Sequence, residues 1–599
     1  MFNTAEIKEL RERIFNLVEF EYKDVISVEE FDGVKVKAEN GKVTVGGSSL
    51  SQIARAFFLF AMENSLGKSK IDIEQKPRFE QLGTMLAVQY TMKPEAVVKY
   101  MEAMSALGYN YMLLYMETSY EIKGYPYFGY MRGRYSKEDL MYIDAQGAKL
   151  GIEVIPCIQT FGHMQDYLRW QANTDVKDSA ECLLADNEKT YELIEAMVST
   201  VSDAFKSRRI HIGFDETRGM GLGRYLIDHK YTDRNEIFCR HLVRVKEICF
   251  KYGYKPMMWS DMPFRLGGDG YAEEYDENCV IPPIVFEATA DVDMCYWDYY
   301  KYHYEHYDHN IKRHFALFNQ SKVIFSGAVW ARDYHVINME QTMKTMLPAL
   351  EACLDNGMKD VNATIWGNAS FTNLEQSLIG LPVFSEYCYI GKGCTEDDIY
   401  KVSAYLTKVP RKYTEAISEF HLEFPQSFSM GARLMWCDVL FELMHHNLDY
   451  AWARDRLSKA LRVIEAEEKD HAICPKEYAE KLFKIAIIKC DILGGLRGAY
   501  QTGDKAFMDM VANEYIDTLI PLYERVCEIK ETLWLNSTRP FGVEKITTVF
   551  ASVIARHKFA KKRINDYLSG SIDRIEELEQ EILDEGYVGW FGAESHYMS

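Results

Sequence analysis

The sequence predicts an α/β protein: a (β/α)8 TIM barrel carrying a small N-terminal α+β domain and an all-helical C-terminal domain. Three observations predict it. Between residues 77 and 400, short apolar strands alternate with amphipathic helical stretches eight times, a pattern that closes into a barrel of parallel strands. Ahead of that repeat, residues 1–76 combine helical periodicity with a hairpin. Beyond it, residues 401–599 lose the strand signal and keep only helical spacing.

The opening "MFNTAEIKELRERIFNLVEF" has the apolar spacing of an amphipathic helix and lacks the basic and apolar regions of a secretory signal. "VKVKAENGKVTV" (34–45) reads as two alternating strands joined by Asn40-Gly41, a type I′ hairpin signal, and "SQIARAFFLFAMENSLG" as the helix after it. Barrel strands are expected at 82–88, 109–115, 152–158, 210–214, 255–259, 292–297, 323–330 and 361–366. Stretches such as "PEAVVKYMEAMSALG" and "NEIFCRHLVRVKEICFKYG" supply the helices between them. In the last third, "KEYAEKLFKIAIIKCDILGGLRGAY" reads as a long helix and "DRIEELEQEILDEG" as a charged helix face.

Composition narrows the function classes. The chain has 599 residues, 47% of them hydrophobic, so a large core is available, and no apolar run reaches the roughly 18 residues of a membrane span. Thirteen cysteines without a CxxC pair imply reduced thiols and a cytoplasmic location. A formal charge of -21 excludes nucleic acid and anionic membrane surfaces as partners, because clustered Lys and Arg carry phosphate binding. Forty tyrosines and nine tryptophans suit stacking against sugar rings, and equally suit a well-filled core.

In a barrel of this kind the chemistry sits where the strands end at their C-terminal face. The first strand ends in Gln89 and Tyr90, and the second in Glu117. The third runs into "QTFGH" with Gln159 and His163, and the fourth, in "RRIHIGFDE", into the adjacent acids Asp215 and Glu216. The fifth ends in Trp259 and Asp261, the sixth in Trp297, Asp298, Tyr299 and Tyr300, the seventh in Trp330, and the eighth in Trp366 and Asn368. Acids in the middle with aromatic rings around them describe a pocket that stacks on a pyranose and breaks its glycosidic bond by acid catalysis.

These strand ends resemble those of the family 20 glycoside hydrolases, the β-N-acetylhexosaminidases, in the branch with a helical C-terminal domain. The resemblance rests on "RRIHIGFDE", on Gly162-His163 of "QTFGH", and on tryptophans after strands five, seven and eight. It implies a substrate-assisted, retaining hydrolysis of terminal β-linked GlcNAc or GalNAc, with the 2-acetamido oxygen as nucleophile and an oxazolinium intermediate. Glu216 would then be the general acid and base, and Asp215 the acceptor of the acetamide N–H. Tyr299 or Tyr300 would donate to the acetamide oxygen, with Trp259, Trp330 and Trp366 enclosing the sugar and His163 supporting the acid. No cofactor and no metal are expected; the partner is an oligosaccharide.

Three departures stand out. In the first strand, where the family carries an arginine for the outer hydroxyls, "LAVQY" places Tyr90. After the eighth strand, "WGNASFTNLEQ" places Asn368 where relatives carry an acid, and Thr118 follows Glu117 where a second acid is common. An intact catalytic pair with an altered grip on the outer hydroxyls suggests a substituted or extended sugar, as in lacto-N-biosidases. Two other readings compete: a sugar-binding protein without catalysis, and a two-carboxylate glycosidase using Glu117 or Asp298. "YHYEHYDHN" spaces His303, His306 and His309 along a solvated helix face, and "GMGLG" (219–223) reads as a loop because it lacks the GK[ST] ending of a phosphate cradle. A homodimer anchored by Tyr587, Trp590 and Phe591 is a further expectation.

Overall fold

The computed structural model describes residues 3–268, 274–319, 322–331, 335–367, 373–422, 429–441 and 448–582. The N-terminal helix Thr4–Leu17 is capped by Asn3, whose side chain accepts from the Ala5 N–H. Four strands follow in one sheet: β1 (Ile26–Glu30), β2 (Val34–Glu39), β3 (Lys42–Gly47) and β4 (Ile71–Gln75), in spatial order β1-β3-β2-β4. The expected hairpin is β2–β3, paired antiparallel from Val34↔Gly47 to Glu39↔Lys42. Asn40 and Gly41 both take positive φ (53° and 75°), as its tight turn requires. The helix Leu50–Ser65 is buried around most of its circumference, including Arg55. Arg55 makes two 2.9 Å bonds to the Glu386 carboxylate on the helix Pro382–Ile390, fastening the N-terminal sheet region to the barrel region.

The barrel strands are β5 (Gln81–Ala87), β6 (Tyr111–Tyr115), β7 (Glu153–Cys157), β8 (Arg209–His211), β9 (Lys255–Trp259), β10 (Asp293–Trp297), β11 (Val323–Ala328) and β12 (Asp360–Ile365). They close in sequence order, β12 pairing parallel with β5. Each coincides with an expected strand to within a few residues. The largest difference is at β8, which stops at His211 rather than Phe214. Gly213 and Phe214 both adopt left-handed φ (78° and 75°), which no strand tolerates, so the chain turns before it reaches the acids.

Contacts divide the chain into two compact units. One holds residues 1–329, 341–367 and 378–407; the other holds 330–340, 368–377 and 408–599. The second unit is helical, with long helices Tyr450–Ala466, Lys476–Thr502, Ile516–Ser537 and Val543–Leu568. Within "DRIEELEQEILDEG" only Glu576–Glu579 forms a helix among the described residues, a single turn rather than the longer charged face expected. Tyr587, Trp590 and Phe591 lie outside the described residues. Among those residues no helix is long and apolar enough to cross a membrane. All thirteen cysteines are free thiols, ten of them buried.

Candidate active site

Five non-glycine residues just beyond the C-terminal ends of the first four barrel strands have left-handed backbone: Thr91 (φ 46°), Glu117 (48°), His163 (52°), Phe214 (75°) and Glu216 (47°). Such conformations cost on the order of 1–3 kcal/mol each and persist only where the surroundings over-determine them. Of the five, Glu117, His163 and Glu216 are charged groups that meet around Asp215, whereas Phe214 packs against Phe161, Phe238 and His241. Gly213 acts by absence. A Cβ on it would overlap the Gln159 side chain, which reaches through that space to Asp215.

The acids differ in environment. Asp215 is buried and accepts a 2.9 Å bond from Gln159 Nε2, while its other oxygen lies 3.2 Å from His163 Nε2. Burial pushes the Asp215 carboxyl up, but His163 and Gln159 outweigh it and hold the group below its ordinary range. Burial likewise opposes the His163 charge. Asp215, Glu117 and Glu216 overcome that and carry the imidazole up to about 10, so it is an imidazolium at neutral pH. Gln159 also donates to the Tyr115 hydroxyl (3.2 Å), which donates in turn to Glu117 (3.0 Å). Burial raises the Glu117 pKa against the opposing pull of His163.

Glu216 is the accessible member, its side chain 34% exposed, with Oε2 3.8 Å from His163. Arg218 Nη2 donates to Glu216 Oε1 at 3.0 Å, and Arg265 Nη2 stands 3.7 Å from the same oxygen. The Glu216 N–H donates to Asp261 (3.1 Å), whose second oxygen accepts from the Trp297 indole (3.2 Å). Asp261 is thereby the brace between the acid and the aromatic wall. Burial and the neighbouring Asp215 push its pKa up to about 7, against the pull of Arg265.

Aromatic rings line strand ends five, six and eight. Trp259 and Trp366 lie 6.2 Å apart between centroids, Tyr115 meets Trp366 edge-on at 5.3 Å, and Trp297 lies 5.7 Å from Tyr299, which contacts Tyr300 at 4.6 Å. The indole nitrogens of Trp259 and Trp366 have no hydrogen-bond partner among the described residues. Asp298 is fully engaged: Oδ2 accepts from the Tyr296 hydroxyl (2.9 Å) and meets His306 Nε2 at 2.7 Å, and Oδ1 accepts from the Tyr300 N–H at 3.4 Å. His306 therefore turns inward, not onto a solvated face, because a buried carboxylate attracts it. Trp330 is buried and opens the segment 330–340 of the second unit, and Asn368 lies outside the described residues.

The first strand end holds the main departure. Tyr90 is 9% exposed and its ring is covered by the Arg132 guanidinium, 4.5 Å from the centroid. Arg132 also donates to the Gln89 carbonyl (2.9 Å) and pairs with Asp166 (3.2 Å). An arginine is thus delivered to this place by the loop after β6, not by β5 itself. "GMGLG" holds an internal anion: Asp178 accepts from the N–H groups of Gly221 (2.6 Å) and Tyr225 (2.8 Å). No group of His, Cys, Asp and Glu among the described residues has the arrangement of a metal site.

The structure brings Glu216, Asp215, His163, Glu117 and the rings of Trp259, Trp297 and Trp366 into one hydrogen-bonded or packed system. Sequence reasoning missed Arg218, Arg265, Arg132 and the bridging role of Tyr115. Arg218 was two residues from the acid and Arg265 is one helical turn beyond Asp261; the other two carried no local signal.

The model of the glycosyl hydrolase family 20 catalytic domain matches residues 71–281, and that of the glycoside hydrolase 20C C-terminal domain matches residues 428–588. Human hexosaminidase D is 27% identical over 198 residues, 32% of this chain and 40% of that protein. Beta-hexosaminidase 3 of Arabidopsis thaliana is 23% identical over 212 residues, 33% of this chain and 39% of that protein. The chain spans about two fifths of the length of these relatives. Among solved structures, the exo-β-N-acetylglucosaminidase of Vibrio harveyi in complex with N-acetylglucosamine matches with a TM-score of 0.50 at 14% identity, covering 68% of this chain and 72% of that one. The β-N-acetylhexosaminidase of Bacteroides fragilis matches with a TM-score of 0.50 at 15% identity, over 68% and 89%. Both share the fold. With a catalytic-domain and a C-terminal-domain match in the order the fold requires, the chain belongs to glycoside hydrolase family 20.

Proposed function

We propose that the protein is a retaining exo-β-N-acetylhexosaminidase that removes a terminal β-linked GlcNAc or GalNAc by substrate-assisted catalysis. The observation that carries this is the contrast between neighbours: a buried Asp215 held as an anion by His163 and aimed by Gln159, beside a Glu216 that reaches the open face. Asp215 accepts the acetamide N–H, turning the acetamide oxygen toward the anomeric carbon. As that oxygen bonds to the carbon, the glycosidic bond breaks and Glu216 gives its proton to the leaving oxygen. The positive oxazolinium sits beside the Asp215 charge. Glu216 then takes a proton from water, which attacks the anomeric carbon, opens the ring and leaves net retention.

Tyr299 or Tyr300 donates to the acetamide oxygen, Trp259 and Trp366 enclose the sugar, and Glu117 and Tyr90 meet its outer hydroxyls. Asp298 is a poor candidate for a protein nucleophile because its oxygens are already engaged by Tyr296, His306 and the Tyr300 N–H. Thirteen free thiols support a reducing compartment such as the cytoplasm.

The test is turnover of aryl β-N-acetylglucosaminide and β-N-acetylgalactosaminide. Glu216→Gln should lower kcat by about 10²–10⁴ on a poor leaving group, and Asp215→Asn by about 10²–10³. A thiazoline mimic of the intermediate should inhibit the wild type. Insensitivity to it would assign the nucleophile to a protein carboxylate, and sugar binding without turnover would leave a lectin-like protein.

A further inference from the structure

The turn that carries Glu216 also carries an arginine. Glu216 takes a left-handed φ of 47°, and the Arg218 N–H donates back to the Glu216 carbonyl at 2.6 Å. The charged ends of the two side chains meet, Arg218 Nη2 donating to Glu216 Oε1 at 3.0 Å. The backbone beneath them is fixed. Arg234 Nη2 donates to the carbonyls of Thr217 (3.3 Å) and Arg218 (2.8 Å), and the Asp178 carboxylate anchors the next residues through the N–H groups of Gly221 and Tyr225.

The Arg218 side chain itself is 64% exposed, and Glu216 is its only hydrogen-bond partner among the described residues. A guanidinium has five N–H donors, so most of them remain for a ligand. Arg265 reaches the same oxygen from the helix Asp261–Gly267, at 3.7 Å, but it is 12% exposed and already paired with Glu274 and, at 3.5 Å, with Asp261. Arg265 backs the site, and Arg218 is the cation with donors to spare. In a chain of formal charge -21, a solvent-facing guanidinium beside the acid inverts the local field.

The two oxygens of Glu216 face different neighbours. Oε2 lies 3.8 Å from His163, the residue that holds Asp215, whereas Oε1 lies against the arginines. Asp215 marks the acetamido sugar on the hexosaminidase reading, so Oε1 marks the side of the leaving group. A glycosidic oxygen within about 3 Å of Oε1 stands within about 6 Å of Arg218 Nη2. An anionic group one or two carbons from the bridging oxygen spans that distance.

Charge then separates one leaving group from another. A neutral one must displace Arg218 from Oε1 and offers the guanidinium nothing in return. A carboxylate or phosphate takes over the guanidinium, bidentate where it fits, and leaves Oε1 free to give its proton to the departing oxygen as the anomeric bond breaks. One ion pair replaces another, so the penalty falls on neutral leaving groups alone.

We propose that Arg218 is a specificity-determining residue for the leaving group: it selects a 2-acetamido sugar joined to a residue that carries a carboxylate or phosphate close to the glycosidic oxygen, and that anion draws Arg218 off Glu216. This rests on the hexosaminidase reading of the pocket.

The experiment uses substrates that differ only at C6 of the leaving sugar: β-GlcNAc on O4 of methyl glucoside, of methyl glucuronide and of methyl glucoside 6-phosphate. Each is given to wild type, Arg218→Ala and Arg218→Lys, and the readout is kcat/KM of each anionic substrate over the neutral one, within each enzyme. In the wild type at least one anionic substrate should exceed the neutral one about fivefold, roughly 1 kcal/mol. The better of the two tells carboxylate from phosphate. Arg218→Ala should bring the ratio to about one, raising turnover of the neutral substrate and lowering that of the anionic one. Arg218→Lys, which keeps the charge without the fork, should lie between. Raising the ionic strength should narrow the wild-type ratio and leave that of Arg218→Ala unmoved. A wild-type ratio at or below one for both anions, or a ratio that Arg218→Ala leaves unchanged, overturns the selection and leaves the hexosaminidase reading standing. An equal loss on every substrate in Arg218→Ala also overturns it, making Arg218 a positioning residue for Glu216. Absence of turnover on every glycoside, a plain aryl β-N-acetylglucosaminide included, overturns the reading itself, and the selection with it.

Discussion

His163 Nε2 lies 3.2 Å from Asp215 Oδ2, and each group holds the other charged inside a pocket that would neutralise either alone. The signs of their two shifts set a pH window. The imidazole is raised from 6.5 to about 10, so its contribution to stability is complete below pH 6.5 and is lost as pH rises through 10. Asp215 is lowered from 3.8, so its contribution is present above pH 3.8 and is lost as pH falls below it. The Tm difference between wild type and His163→Gln should be widest between pH 4 and 6.5 and should shrink toward pH 10. A difference independent of pH would show that the pair is not charged in the folded protein.

Asp261 works in the opposite sense to an ordinary paired carboxylate. Its pKa is raised from 3.8 to about 7, so the stability it contributes is present below pH 3.8 and is lost as pH rises through 7. Asp261→Asn mimics the protonated group and should flatten the fall in urea stability between about pH 4 and 7. Parallel curves for the two proteins would mean that Arg265 keeps Asp261 ionised throughout.

Arg218 occupies Glu216 Oε1, a bond that must open before that oxygen meets a leaving group. An ion pair this exposed is worth up to about 1 kcal/mol. Arg218→Ala should therefore raise kcat/KM on a plain aryl glycoside by up to about fivefold. A loss of activity with a raised KM would instead make Arg218 a substrate contact.

The Arg55–Glu386 pair is wholly buried, with side chains 0% and 3% exposed. Arg55→Met strands a buried carboxylate and should cost about 3–5 kcal/mol in urea denaturation. The double variant Arg55→Met/Glu386→Leu should recover much of that loss. Equal losses in the single and double variants would assign the cost to packing rather than charge.

Much of the architecture was legible because its causes are local. Period-two and period-3.6 spacing, Asn40-Gly41 and the breaks between elements are properties of neighbouring residues, and a barrel with strands in sequence order follows from short connections alone. The position of the acid pair beyond the fourth strand was legible too, since the apolar alternation of Ile210, Ile212 and Phe214 stops at Asp215 and Glu216. The end of β8 was less so: "IHIGF" alternates like a strand to Phe214, and only the left-handed turn at Gly213 and Phe214 ends it at His211.

By itself, then, the sequence determined the barrel, the helical C-terminal region and which side chains stand at the strand ends. Tertiary structure alone decided how those side chains are charged and braced. Gln159 and Asp215 are 56 residues apart, Asp261 and the Glu216 N–H 45, and the loop arginine over Tyr90 comes from the turn after the next strand. His306 shows the same division. Its helical spacing put it on a face, but only the buried Asp298 carboxylate determined which way that face turned. Periodicity records how often a side chain returns to one side of its own element. Burial, pairing and pKa depend on what another element brings within hydrogen-bond distance, and that is fixed only when the barrel closes.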